Sequence, residues 1–369
     1  MVKVCHVTSA HCSNDVRIFY KECASLAKAG YETYLVARGE SREENGVHVI
    51  GVGQAPSNRI RRMTRFSRKV YEKALAVDAD IYHLHDPELL PWGTKLKKRG
   101  KKVIFDSHEN YVDQIKNKQY LPKGIRSCVA FAYKAYEESV LQKIDAVIFP
   151  CLANRKHPFE GKCRKTITVE NFPILEELYN QYDVNIQKEK NALCYTGSLT
   201  HNRGITNLVE AMEFINGRLY LAGDCPSEAY IEKLKTMPGW EKVEYLGHLN
   251  RDEVRKLIQK CEIGMSANLS VGQYNKTDNF STKDYEYMSL GIPVVLTDAP
   301  YNKLAEEYRF GVCVDPEDIE EYADIVNKLL EDKERIQQLG VNGRKAVVHF
   351  FNWETQAEKL VRLYRELDE

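Results

Sequence analysis

The chain has 369 residues, more than a single compact core usually holds, and 43% of them are hydrophobic, enough for two cores. Lys+Arg and Asp+Glu each number 53, so the net charge is zero, which argues against a dedicated nucleic-acid binder. Ten cysteines are scattered without a CxxC pair, so the expectation is free thiols in a reducing cytosol, with neither a disulfide framework nor a metal site.

The first residues, MVKVCHVTSA, run directly into a strand pattern with no apolar leader, and no apolar run approaches the ~18–20 residues of a membrane span. A cytoplasmic protein is expected, free to touch a membrane surface. Short apolar runs then alternate with helical patterns. Strands are expected over 2–8, 31–37, 46–52, 81–84, 102–105, 146–149 and 166–169, with a helix over 17–29 ending at Gly30. This alternation implies a parallel sheet covered by helices on both faces.

The turn after the first strand lacks GxGxxG, which weighs against a nicotinamide or flavin site. Asp15 stands where it would cap the following helix or face an acceptor. The run 59–69, RIRRMTRFSRK, puts Ile60, Met63, Phe66 and Val70 at helical spacing among cations. It reads equally as a helix on anionic lipid and as a solvated helix packed on the sheet. Two strand ends carry His85, Asp86 and Glu88, and Asp106, His108 and Glu109. Their placement makes His85, Asp86 and Glu109 candidates for the acceptor side. A helix over roughly 122–143 offers Val129, Phe131, Tyr133 and Tyr136, most of them expected in the core.

Residues 173–190 are polar and read as a linker, so a first domain is expected over 1–172 and a second over 191–350. The second series of strands is expected over 192–195, 218–221, 242–246, 262–265, 293–296 and 312–314, with a last helix near 354–367. The turn GSLTHNRG holds Gly197, Ser198 and Arg203 just before a helix, where backbone N–H groups, the helix dipole and a guanidinium favour a diphosphate. In DNFSTKDYEYMSLGIP, Asp278 precedes Lys283, which falls at a helix N-terminus and opposes the dipole unless an anion sits there too. Lys283 and Glu286 share one helix face, so one site would take phosphate and sugar hydroxyls together.

The segment STKDYEYMSLGIPVV resembles the donor-site signature of glycosyltransferase family 4, of the GT-B fold. YTGSLTHNRGI, LYLAGD with Gly223, VEYLGHL with His248, Asn171-Phe172-Pro173 and the stretch 350–360 resemble further family segments in the same order. The resemblance implies an α/β protein with two Rossmann-like domains whose parallel sheets face across a cleft, the final helix, 353–369, packing back on the first. It implies that Arg203 and Lys283 hold the donor diphosphate, that Glu286 holds the ribose, and that Gly197, Ser198, Gly223 and His248 complete the donor site. His108 matches a family histidine near the donor sugar. Asp278 stands where the family usually has a Glu, one methylene longer.

The implied activity is a retaining transfer of a hexose from a nucleotide diphosphate-sugar, UDP by prior, to a hydroxyl. A lipid-linked glycan of a surface polysaccharide pathway is the expected acceptor, and no metal or cofactor is expected. Rival readings are a GT-B nucleotide-sugar epimerase, a degenerate nucleotide-sugar-binding module and a two-domain dehydrogenase. Product analysis without acceptor separates the first, and any turnover of donor dismisses the second.

Overall fold

The computed structural model describes residues 1–117, 122–153, 155–271, 275 and 277–369. It divides into two compact units, Met1–Asn171 with Glu354–Glu369, and Phe172–Trp353.

In the first unit eight strands form one sheet: β1 (Lys3–Cys12), β2 (Glu32–Arg38), β3 (Arg42–Glu44), β4 (Val47–Gly51), β5 (Ile81–Leu84), β6 (Lys102–Asp106), β7 (Ala146–Phe149) and β8 (Thr166–Thr168). They lie in the order β3-β4-β2-β1-β5-β6-β7-β8. Every described pairing is parallel except β3 with β4. The central strands are buried on both faces, so they read as continuous runs rather than alternating ones: all four residues of β5 and of β7 are buried. The short strand β3 was not among the expected strands. It folds back on β4 through Asn45 and Gly46, with φ of 52° and 73°, the left-handed pair that a two-residue hairpin needs.

The expected helix over 17–29 begins instead with π turns, Val16–Cys23, and becomes α-helical over Ala24–Lys28. Six of its first eight residues are buried, Arg17, Lys21 and Glu22 among them, more than one face of an α-helix this short would cover. The final helix, Trp353–Asp368, belongs to this unit from residue 354 on and buries Gln356, Leu360, Leu363, Tyr364 and Leu367 at helical spacing.

Two helical surfaces depart from expectation. In Lys123–Leu141, Val129, Phe131 and Tyr136 are exposed rather than core; the helix turns Ala130, Glu137, Val140 and Leu141 inward instead. In the basic run, Phe66 and Val70 are buried, whereas Ile60 is 72% and Met63 39% exposed, so the apolar stripe is half core and half surface. Among the described residues, no helix is long and apolar enough to cross a membrane.

The second unit has β9 (Ala192–Thr196), β10 (Arg218–Ala222), β11 (Val243–Gly247), β12 (Ile263–Met265), β13 (Val294–Thr297) and β14 (Gly311–Val314). All described pairings are parallel, in the order β11-β10-β9-β12-β13-β14. This is the doubly wound pattern in which chain order reverses beside the first strand, opening a crevice at the carboxyl ends of β9 and β12. Two hydrophobic clusters fill this unit, one with Leu193, Leu219 and Ile263, the other with Cys194, Met288 and Val294. The stretch 173–190 packs with this unit rather than hanging free. Leu178 joins its core, Tyr220 donates to Glu189, and the Arg344 guanidinium stacks on Tyr179 and Tyr182 at 3.9 and 4.2 Å.

Candidate functional site

The carboxyl ends of the second unit's strands enclose a cavity of about 560 Å³. Gly197, Ser198 and Arg203 reach it from the segment after β9, Gly223 from the end of β10, His248 from the end of β11, and Lys283 and Glu286 from helix Thr282–Ser289. Every residue expected on the donor side thus lines one cavity.

Backbone conformation makes the close approach there possible. Gly197 and Gly223 have φ of 133° and 142°, and a Cβ on Gly223 would lie 1.9 Å from the Gly197 carbonyl oxygen. Helix Thr282–Ser289 opens with a capping box, in which Ser281 N donates to Asp284 Oδ2 at 2.9 Å. That cap fixes the first turn and with it Lys283, which is buried with its Nζ 4.8 Å from the centre of the Tyr195 ring. Burial brings the Lys283 pKa down to about 8, with Arg203 adding to the effect and Asp284 and Glu286 opposing it. An ammonium placed in so dry a position gains from an arriving anion.

Arg203 Nη1 donates to Asn268 Oδ1 at 3.4 Å, and Arg203 also borders a second cavity of about 200 Å³ lined by Asn268, Thr277, Asn279 and Ser281. Asp278 is half-buried between Thr277 and Asn279 but lines neither cavity itself. His248 is exposed and meets Asp224 at 3.1 Å.

In the first unit, Asp15 acts as the cap: its Oδ1 accepts from Ile18 N at 3.0 Å, and its Oδ2 meets His11 Nδ1 at 3.1 Å. Burial works against its ionisation, but the His11 and Ile18 hydrogen bonds hold its carboxyl well below the usual range. Asp86, expected to face an acceptor, is buried and accepts from Thr8 Oγ1, Ser9 N and Ala10 N at 2.8, 2.6 and 3.1 Å, which ties down the end of β1. His85 is likewise fully buried, enclosed by neighbouring histidines, and so offers no surface to an acceptor. His108 stays partly exposed, with Nε2 at 3.2 Å from His85 Nδ1 and 3.5 Å from Asp106 Oδ2. Glu109 is half-buried beside it, and burial raises its pKa.

Two family models match the chain, "Glycosyltransferase Family 4" over residues 16–157 and "Glycosyl transferases group 1" over residues 180–346. The chain belongs to the family 4 type of glycosyltransferases. It is 24% identical over 196 residues to an uncharacterized glycosyltransferase of Methanocaldococcus jannaschii, a match covering 52% of this chain and 48% of that protein. The chain therefore spans about half the length of that relative. Its fold matches a sucrose-phosphate synthase from Thermosynechococcus elongatus with a TM-score of 0.76 at 17% identity, covering 100% of this chain and 99% of the other. It also matches the Anabaena protein HepE, solved in complex with UDP and glucose, with a TM-score of 0.72 at 15% identity over 99% and 100% of the two chains. The likeness to these solved structures is one of fold: GT-B, with two parallel-sheet α/β domains.

Sequence reasoning missed several groups at this glycosyltransferase's cavity. Tyr195 supplies the ring beneath Lys283, yet inside a strand run it reads only as core. Arg251 and Arg255 share one face of helix Arg251–Lys260 and border the same cavity, both held by Glu177, at 2.6 Å to its carboxylate and 2.9 Å to its carbonyl oxygen. Their i,i+4 spacing was the available signal.

Proposed function

We propose that this protein moves a hexose from a nucleotide diphosphate-sugar to a hydroxyl acceptor with retention of anomeric configuration. The observation that carries the reading is the meeting of Arg203, Lys283 and Glu286 at one cavity at the carboxyl end of a doubly wound sheet. Arg203 and Lys283 take the diphosphate, Glu286 the ribose hydroxyls, and the glycine turns admit the phosphates to backbone N–H groups. As the glycosidic bond breaks, charge gathers on the leaving diphosphate, and these two fixed cations stabilise it. A leaving phosphate oxygen accepts the acceptor's proton on the face that it vacates, so no separate base is needed.

UDP is the proposed nucleotide, a reading favoured by the UDP bound to the HepE structure. The chemistry needs neither cofactor nor Mg²⁺ or Mn²⁺, since the Arg203 and Lys283 cations already border the cavity. Activity that survives excess EDTA over the minutes of an assay is expected; complete loss restored by Mn²⁺ or Mg²⁺ rejects this. The proposed acceptor is a lipid-linked glycan of surface polysaccharide synthesis, met at the cytoplasmic face of a membrane. The surface positions Ile60 and Met63 among the arginines of 59–69 support that location. Product analysis of UDP-hexose turnover with and without lipid-linked acceptors tests the whole reading. Transfer with retained configuration is expected, and acceptor-independent isomerisation of the donor contradicts it.

A further inference from the structure

Neighbouring strands of the first unit bring three histidines together inside it. His6 on β1 pairs in register with His83 on β5, and His85 lies two residues beyond His83, on the same face of the sheet. Glu22, from the π turns of Val16–Cys23, enters the same space. All four are fully buried.

The donor atoms converge. Glu22 Oε2 lies 3.8 Å from His6 Nδ1, 3.9 Å from His83 Nε2 and 3.9 Å from His85 Nε2, and His6 Nδ1 is 2.9 Å from His85 Nε2. Among the described residues, Glu22 Oε2 and His83 Nε2 have no hydrogen-bond partner, although such buried groups are costly to leave unsatisfied. The other Glu22 oxygen faces Arg17 Nε at 3.0 Å, leaving Oε2 to act alone.

We propose that His6, Glu22, His83 and His85 bind one divalent transition-metal ion of zinc-like preference in a closed structural site. A tetrahedral ion bound at zinc's usual distances needs donor atoms about 3.4 Å apart, between the 2.9 Å and 3.9 Å separations of these atoms. Three imidazoles and one carboxylate suit zinc.

The surroundings orient the ligands as metal sites require. The far nitrogens of His83 and His6, Nδ1 and Nε2, both meet the Tyr364 hydroxyl, at 2.8 and 3.2 Å, and that oxygen can accept from both. The far nitrogen of His85 faces His108 at 3.2 Å and Asp106 at 3.7 Å. Two buried acids, Glu22 and Asp106, share this space with one buried guanidinium, that of Arg17, at 3.0 Å from each. The site ties strands β1 and β5 to the π turns and, through Tyr364, to the final helix. It shares no residue with the donor cavity and its metal content is read without turnover, so the two readings fail independently.

The test is elemental analysis of the full chain, purified without a metal-affinity tag, dialysed against zinc and then against buffer. About one equivalent of zinc per chain is expected for this single four-ligand site, with loss of most of it in His83→Gln and Glu22→Gln and full retention in His48→Ala, an exposed histidine elsewhere. Because the buried variants can fail to fold, the wild type is also refolded with Co²⁺, which should give the strong visible absorption of a tetrahedral site. Less than a tenth of an equivalent in the wild type, together with a Co²⁺ spectrum of octahedral type or none, overturns the proposal in favour of a metal-free hydrogen-bonded cluster. Zinc retained equally by wild type, His83→Gln and Glu22→Gln overturns it as adventitious binding.

Discussion

Lys283 carries the sharpest chemistry in the molecule, because burial places its titration where enzymes are assayed. With its pKa near 8, it is charged at neutral pH and loses its proton in the free protein as the pH rises further. Donor affinity and kcat/KM should therefore fall through a basic limb beginning near pH 8. In Lys283→Arg the guanidinium stays charged throughout, and the limb should vanish even if the rate is lower. A limb that persists unchanged in Lys283→Arg assigns it to another group. Stability moves the opposite way. The pKa is about 8 in the folded protein and 10.5 ordinarily, so across that interval the unfolded chain holds the extra proton and stability without ligand rises with pH. At neutral pH, Lys283→Ala and Arg203→Ala should each slow turnover at least tenfold, about 1.4 kcal/mol or more in the barrier. Near-normal steady-state rates in both remove the phosphate assignment.

At the scale of elements, the glycine turns decide whether phosphate can come near the backbone. Gly223→Ala should lower both thermal stability and donor affinity, since its Cβ would meet the Gly197 carbonyl at 1.9 Å and the backbone is left-handed there. Gly247→Ala shares the left-handed φ but meets nothing within 4 Å, so it should be the milder variant in a melting experiment. Equal effects would mean that conformation, not crowding, dominates. These turns were legible in the sequence because glycine beside a strand end is a local signal, and so were Lys283 and Glu286, one turn apart on a single helix. The strand β3 was legible only in part: the polarity of Arg42-Glu43-Glu44 hides a strand, although Asn45-Gly46 was a hairpin signal in plain view. The burial of His85 and Asp86 was not legible, because it depends on His6, Glu22 and Thr8, brought up by strand register and by a helix with π turns. No short spacing records such a meeting.

For the whole molecule, neutrality over 369 residues hides an uneven surface. If the arginines of 59–69 meet anionic lipid, the full chain should co-sediment with vesicles containing phosphatidylglycerol. Replacing Arg61 and Arg65 by Glu should abolish this without changing nucleotide binding. Co-sedimentation unaltered in that variant would place any lipid contact elsewhere. Every residue lining the 560 Å³ cavity belongs to the second unit, so a donor that binds there stabilises that unit first, and at a hundred times its Kd by about 2.7 kcal/mol. The central claim is that this cavity is the donor site. Calorimetric titration at pH 7 of the wild type and of the Arg203→Ala/Lys283→Ala double variant with UDP-hexoses measures it directly. The account predicts one binding site in the wild type and affinity at least tenfold weaker in the double variant; equal affinity in the two proteins would contradict it.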